Sequence, residues 1–236
     1  MKNRIGCLLI HGFGGSPEEM NPLAEYLHNE GITTLSPVLK GHTGRKSDLQ
    51  GISYKQWIES GKNALTELSR MCKDIFVIGF SMGGLVAASL PYSKQVKGIA
   101  TLNTPVYPWN PGGILGNLLK DIKKGTFEHL KFYALSSVRF PFSTLIEFLK
   151  FLHNAKPKFK DLRCPLFVAQ ALEDDVVQPK SAVYIHRNAG SISKTLKFYK
   201  GSGHLICYSS AASKLFSDVF SFIQGHSHPH TIEPVL

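Results

Sequence analysis

The chain has 236 residues, of which 43% are hydrophobic and 19% are charged, so a packed core is feasible and wholesale disorder is excluded. No apolar run reaches the roughly 18 residues that a membrane-spanning helix needs. The uncharged stretch that follows Arg4 is too short for a signal peptide and has no cleavage site. These features predict a soluble, cytoplasmic protein with one large α/β domain or two small ones.

The formal net charge is +10, from 27 basic and 17 acidic side chains. Most of the excess lies in residues 104–163, which are also rich in Phe and Leu, unlike a solvated basic tail. No RNA-binding sheet motif, zinc finger or basic zipper is present, which argues against a nucleic-acid partner. The four cysteines form no C-x-x-C pair, so we expect buried free thiols rather than a zinc or redox motif.

Short apolar runs alternate with amphipathic stretches, which is the pattern of a βα-repeated parallel sheet. The runs are rich in Ile, Val, Leu and Phe without clean alternation, which predicts strands buried on both faces. The predicted strands are 5–11, 32–37, 74–80, 96–103, 165–171 and 195–199.

Three of the intervening helices have recognisable ends or faces. In Ser16-Pro17-Glu18-Glu19, the serine, the proline and the second glutamate fit an N-cap, a first-turn proline and a capping box. Another helix is predicted to start at Ser53, and the last to run from about 210 to 223. Apolar residues recur at helical spacing in each, so we expect these faces to pack in the core.

Residues 104–162 lie between two predicted strands but are too long for one crossover helix. Seven of the 15 phenylalanines lie between Phe127 and Phe159. An insertion of this length is usually functional, so it predicts a cap over an apolar pocket, with residues 1–103 and 163–225 forming the core. Residues 226–236 are predicted to be a C-terminal tail. Its alternating histidines can bind metal, but an irregular extension is favoured.

The motif Gly79-x-Ser81-x-Gly83 follows a predicted strand and precedes a predicted helix. This is the setting of a nucleophile elbow, in which a serine hydroxyl projects above the sheet from a strained turn. Only small side chains fit two residues before and after such a serine. The helix that starts here directs its N-terminal amides at a developing anion, so Ser81 is the predicted nucleophile.

A serine nucleophile in this geometry needs two backbone N–H donors for the oxyanion that forms on the substrate. One is expected from Met82, the residue after the nucleophile. The other is expected from Phe13, in the glycine-rich loop after the first strand. His11, at the start of that loop, is expected to hydrogen-bond to the loop backbone, and a general-base role for it is the minor alternative.

The general base is expected after the last core strand, where small residues surround His204. The other candidates lie in a predicted helix or in the tail, away from any strand-to-loop junction; they are His186, His226, His228 and His230. The acid that holds the imidazole should follow the preceding strand, where three acids are adjacent. The spacing favours Asp174 and leaves Asp175 as the alternative.

With these residues placed, the chain resembles the α/β-hydrolase superfamily over nearly its whole length. More narrowly, it is similar to the small bacterial carboxylesterases and monoacylglycerol lipases. The order Ser81, Asp174, His204 is that of the α/β-hydrolases. One departure is Thr43, which follows His42 where that family commonly has Gly-His-Gly. The stretches that carry the resemblance are 8–15, 39–42, 79–84, 170–174 and 202–204.

The resemblance implies an α/β-hydrolase fold, with a mostly parallel sheet of six to seven strands, helices on both faces and a small inserted helical cap. It also implies a serine carboxylesterase that cleaves short-to-medium-chain acyl esters, monoacylglycerols among them, without a metal or organic cofactor. The alternatives are a thioesterase or other acyl hydrolase on the same triad, and a hydrolase-fold protein that only binds an apolar ligand. The basic cap fits either peripheral contact with an anionic lipid interface or a solvated exterior.

Overall fold

The computed structural model describes residues 3–107 and 141–227, and these residues form one sheet with helices on both faces. The sheet has six strands in the described ranges, in the order β2-β1-β3-β4-β5-β6, and every adjacent pair is parallel. The strands are β1 (Asn3–Ile10), β2 (Thr33–Leu35), β3 (Cys72–Phe80), β4 (Val96–Leu102), β5 (Leu166–Ala171) and β6 (Lys194–Tyr199). Each predicted strand is confirmed, with ends that differ by at most two residues.

Six helices cover the two faces of this sheet in the described part of the chain. They are α1 (Asn21–Asn29), α2 (Tyr54–Met71), α3 (Met82–Ser89), α4 (Phe142–Ala155), α5 (Lys180–Asn188) and α6 (Ala212–His226). Helices α1 and α6 share one apolar cluster with the sheet, and α2, α3, α4 and α5 share the other. The α/β-hydrolase fold expected from the sequence is therefore confirmed. No helix in these ranges combines the length and apolarity needed to cross a bilayer.

Burial follows the position of each strand in the sheet. The central strand β3 is buried from Asp74 to Phe80, and β5 is buried throughout, as expected for strands covered on both faces. The expectation is wrong for β2 and β6, whose residues are mostly half-buried or exposed. These two strands form the edges of the sheet, so each has a neighbouring strand on one side and none on the other.

The helix starts read from the sequence have different outcomes. At Ser53 the expectation is confirmed, because α2 begins with the next residue and the Gln56 side chain accepts a hydrogen bond from the Ser53 N–H at 3.0 Å. At Ser16 the expected capping box is wrong. A 3₁₀ turn (Pro17–Met20) comes first, α1 begins at Asn21, and Ser16 makes no side-chain capping hydrogen bond. The Glu19 carboxylate instead bonds across the loop that follows β1.

The predicted cap is described in part. Residues 108–140 lie outside the described residues, as do His228, His230 and the rest of the chain after 227. The described remainder forms α4 and a 3₁₀ turn (Lys156–Asp161). Phe148 and Phe151 of α4 are buried in the same apolar cluster as α2 and α3. The cap as a separate unit, with its boundaries at 104 and 162, stays a prediction.

The parallel arrangement brings distant parts of the chain to one edge. His11 follows β1, Ser81 follows β3 and Asn103 follows β4, while Asp174 and His204 lie in the loops after β5 and β6. The carboxyl ends of parallel strands share one edge of the sheet, and ligands of open α/β folds bind there. The fold therefore collects every predicted site residue at this edge.

Candidate active site

Ser81 occupies a strained turn between β3 and α3. Its φ is 51° and its ψ is −121°, a combination that an L-residue adopts only when its surroundings impose it. The Ser81 N–H donates to the Leu102 carbonyl at 2.8 Å, which ties the turn to β4. A Cβ at Gly79 would overlap the backbone of Gly83, and a Cβ at Gly83 would overlap the Ile10 carbonyl. The two flanking glycines are therefore steric requirements of this turn.

Ser81, His204 and Asp174 form one hydrogen-bonded line. The Oγ atom of Ser81 lies 3.2 Å from Nε2 of His204, and Nδ1 of His204 lies 2.9 Å from Oδ2 of Asp174. A carboxylate can only accept, so Nδ1 donates to Asp174 and Nε2 is left to accept from the Ser81 hydroxyl. The carboxyl of Asp174 is excluded from solvent, whereas 19% of the imidazole side chain is exposed. The carboxylate end of this hydrogen-bonded chain is therefore buried, and the imidazole is accessible to solvent.

The loop after β5 holds the Asp174 carboxylate in place. Its Oδ1 accepts hydrogen bonds from the N–H groups of Val176 and Val177, each at 2.8 Å. Its Oδ2 accepts a hydrogen bond from Nε2 of Gln170 at 3.4 Å. Of the acids that the sequence offered, it is Asp174 that lies against His204. Glu173 has a different contact, because it accepts the Ser202 N–H at 3.2 Å in the loop that carries His204.

Asn103 is a site residue that the sequence reasoning missed. It is fully buried at the end of β4 with a φ of 47°. Its Nδ2 donates to the His204 carbonyl at 2.7 Å, and its Oδ1 accepts the Ala171 N–H at 2.7 Å. The available signal was an asparagine directly after a buried parallel strand, at the edge where ligands bind and in a residue type that tolerates positive φ.

His11 fixes the backbone of the loop after β1. Its Nδ1 donates to the Gly12 carbonyl at 2.9 Å, and its Nε2 accepts the Leu39 N–H at 3.2 Å. Burial lowers its pKa to about 4, so the ring is neutral at pH 7. Because a trans peptide directs its C=O and N–H in opposite directions, the Phe13 N–H points away from His11. His11 thus contacts the loop backbone, as the sequence predicted.

Of the two residues predicted to supply the oxyanion donors, Met82 directly follows the nucleophile, and the residue before Phe13 packs against it. Met82 is the first residue of α3, so its N–H has no acceptor within the helix. Gly12, which precedes Phe13, is packed so closely that a Cβ on it would lie 3.2 Å from the Cβ of Ser81. The Phe13 ring stacks on Phe148 of α4, with centroids 4.8 Å apart. The loop after β1 therefore lies between the nucleophile and α4.

Two of the other candidate histidines lie within the described residues, on helices away from Ser81. His186 lies on α5, and His226 ends α6, where its Nδ1 bonds to the Phe222 carbonyl at 2.9 Å. Residues 3–107 and 141–227 contain no group of three or more His, Cys, Asp or Glu side chains that could hold a metal ion.

The sequence matches a model of the alpha/beta hydrolase family over residues 7–216. The chain belongs to this family. The match runs from the second half of β1 to the first turn of α6 and includes every residue described above as part of the site. The family resemblance drawn from the motifs is thereby confirmed.

Two curated relatives match along most of their length. A thermostable monoacylglycerol lipase of Bacillus sp. (strain H-257) is 29% identical over an alignment of 212 residues; the match covers 85% of this chain and 83% of the relative. A carboxylesterase of Bacillus subtilis (strain 168) is 25% identical over an alignment of 224 residues, and the match covers 92% of this chain and 91% of the relative.

Solved structures share the fold. A structure described with the metagenome-derived lipolytic enzymes LipS and LipT has a TM-score of 0.78 at 22% identity and covers 96% of both chains. A monoacylglycerol lipase from Paleococcus ferrophilus has a TM-score of 0.71 at 16% identity, again with 96% of both chains covered. At these identities the likeness establishes the architecture alone.

Proposed function

We propose that this chain is a serine carboxylic-ester hydrolase that cleaves short-to-medium-chain acyl esters, monoacylglycerols among them, through an acyl-enzyme intermediate. The observation that carries the proposal is the hydrogen-bonded line from Ser81 through His204 to Asp174. The names of the two curated relatives, a monoacylglycerol lipase and a carboxylesterase, support the same reaction class.

In the first half-reaction, Nε2 of His204 takes the hydroxyl proton as the Oγ atom of Ser81 attacks the ester carbonyl carbon. Asp174 keeps the imidazole in the required tautomer and stabilises the imidazolium that forms. The carbonyl oxygen becomes an oxyanion and accepts hydrogen bonds from the N–H groups of Phe13 and Met82. Each such donor contributes about 3 kcal/mol to lowering the barrier.

Collapse of this tetrahedral intermediate completes the first half-reaction: the C–O bond to the alcohol breaks, and the alcohol leaves with the proton from His204. In the second half-reaction, water donates a proton to His204 and attacks the acyl-Ser81 ester. The second tetrahedral intermediate then releases the carboxylic acid, and His204 returns the proton to the Ser81 Oγ atom. Every step uses protein groups and water, so the reaction needs no cofactor.

The apolar residues beside the oxyanion loop suit an acyl chain. The stacked rings of Phe13 and Phe148 border this loop, and each methylene buried against such a surface contributes about 0.8 kcal/mol. In the described part of the predicted cap, Phe142, Ile146 and Leu149 of α4 expose apolar surface, which supports contact with a lipid interface. That contact, the cytoplasmic location and the acyl-chain length stay predictions.

A substrate panel tests the proposal. The purified protein is given p-nitrophenyl esters of graded chain length, monoacylglycerols and acyl thioesters, with Ser81→Ala as the control. We expect ester turnover that falls at least about 10⁴-fold in the variant. Turnover of thioesters alone would favour the thioesterase alternative. Failure of a fluorophosphonate to label Ser81 would favour a protein that only binds an apolar ligand.

A further inference from the structure

The Glu19 carboxylate lies against both ends of the glycine-rich loop after β1. Its Oε2 accepts the Gly12 N–H at 2.8 Å. At the other end, a Cβ added to Gly15 would overlap the carboxylate, so the acid packs directly on that glycine. Glu19 itself lies in the 3₁₀ turn that follows the loop, and its own N–H bonds to the Ser16 carbonyl at 3.1 Å. The Glu19 carboxylate therefore connects Gly12 and Gly15, two glycines that have no side chain with which to hold the loop themselves.

Gly12 needs such restraint because of its place in the site. It is packed beside Ser81, so an added Cβ would lie 3.2 Å from the Ser81 Cβ and would require a shift of a few tenths of an ångström there. A glycine has the freest backbone of any residue, and rotation at Gly12 would turn the peptide that bears the Phe13 N–H. His11 and the Gly15 N–H hold the carbonyl of Gly12, at 2.9 and 3.4 Å, and Glu19 holds its N–H.

We propose that Glu19 is a positioning residue: by accepting the Gly12 N–H it fixes the His11–Gly12 peptide, which limits rotation at Gly12 and so keeps the Phe13 N–H directed at the oxyanion. This inference rests on the proposed function and adds a role that lies outside the triad. The hydrogen-bond acceptor is the essential feature, because a negative charge close to the oxyanion would oppose its formation. Burial raises the pKa of Glu19.

The test separates hydrogen bonding from charge and from volume. Glu19→Gln keeps a carbonyl oxygen at the Gly12 N–H and removes the charge. Glu19→Leu removes the acceptor at similar volume, and Glu19→Asp withdraws it by one methylene. The neighbouring and exposed Glu18 supplies the matched controls Glu18→Gln and Glu18→Leu. For each protein we would measure kcat and KM on p-nitrophenyl butyrate, the Tm, and the Kd of an alkylboronic acid that forms a tetrahedral adduct with a serine hydroxyl.

For Glu19→Leu and Glu19→Asp, we expect kcat to fall 10- to 100-fold with KM within twofold of the wild type, because a displaced donor costs transition-state binding. The boronic acid should bind more weakly by a similar factor, Glu19→Gln should retain kcat within threefold, and the Glu18 variants should match the wild type. The inference is wrong if kcat and the boronic-acid Kd of the folded Leu and Asp variants stay within twofold, or if Gln is as impaired as Leu.

The same measurements distinguish a failure of the Glu19 inference from a failure of the proposed function. If the wild type hydrolyses no ester, the proposed function fails, and the boronic-acid Kd still reports whether Glu19 orients the loop. If the wild type is active and the Glu19 variants match it, only the role of Glu19 fails. If Glu19→Leu does not fold, Glu19→Asp and Glu19→Gln carry the same comparison.

Discussion

The Asn103 amide lies 2.7 Å from the carbonyl oxygen of His204, so the end of β4 holds the loop that carries the imidazole. The same side chain accepts the Ala171 N–H at the end of β5. One buried residue thus connects three segments at the carboxyl edge of the sheet. The backbone of Asn103 has a φ of 47°, which asparagine tolerates better than most residues.

We expect Asn103→Ala to lose stability and activity together. The change leaves the buried Ala171 N–H and the His204 carbonyl without this partner, at a cost of about 1–3 kcal/mol for each group. A displaced His204 loop should also lower kcat by more than tenfold. Asn103→Gly is the matched variant, because glycine accepts the positive φ and removes the same hydrogen bonds. Urea denaturation and steady-state kinetics would measure both effects, and an Ala variant with wild-type kcat would show that Asn103 does not position His204.

The two adjacent acids after β5 should differ sharply in their effect on catalysis. Asp174→Asn keeps the shape of the side chain but favours the wrong imidazole tautomer, so we expect kcat to fall by about 10⁴-fold. Asp175→Asn should stay within a few-fold of the wild type. Both variants can be compared by ester hydrolysis at pH 8, and a larger loss for Asp175→Asn would reverse the assignment.

Buried His11 should make the protein less stable in acid. Its pKa is about 4 in the folded state, below the ordinary value of 6.5. Protons therefore bind the unfolded chain more readily, and the stability contributed by neutral His11 is present above pH 6.5 and lost as the pH falls towards 4. The loss amounts to about 3 kcal/mol.

His11→Gln removes this titration, and exposed His28→Gln is its control. Burial also lowers the pKa of nearby His42, so some acid sensitivity should remain in the His11 variant. Urea denaturation from pH 7.5 to pH 4 would measure the free energy of unfolding of each protein. A wild type whose pH dependence equals that of His11→Gln would contradict the assignment.

The glycines of the elbow should be far less replaceable than a glycine in open space. A Cβ at Gly83 would overlap the Ile10 carbonyl, so Gly83→Ala should cost about 3 kcal/mol and lower kcat. Gly225 lies on α6 with nothing within 4 Å of an added Cβ, so Gly225→Ala should gain up to about 1 kcal/mol from helix propensity. The Tm of each variant would measure this difference in stability. Equal Tm values for Gly83→Ala and Gly225→Ala would contradict the prediction.

Local patterns in the sequence were sufficient for the strands, the fold class and the residues that bear a motif. Apolar runs placed the six strands, and Gly-x-Ser-x-Gly placed Ser81 on the turn after β3, because steric rules at such a turn act between residues close in the chain. The position of His204 followed from chain order and its small neighbours. Phe13 and Met82 were predicted from the family pattern; Met82 directly follows Ser81, and Gly12, the residue before Phe13, packs against Ser81.

Contacts between distant segments could be decided only by the tertiary structure. The sequence favoured Asp174 and kept Asp175 as the alternative, and in the structure the loop after β5 brings Asp174 to His204. It assigned Glu19 to a capping box, whereas the folded chain offers this carboxylate the Gly12 N–H. A side-chain hydrogen bond spans only about 3 Å, so partners far apart in the chain are chosen by how strands and loops pack.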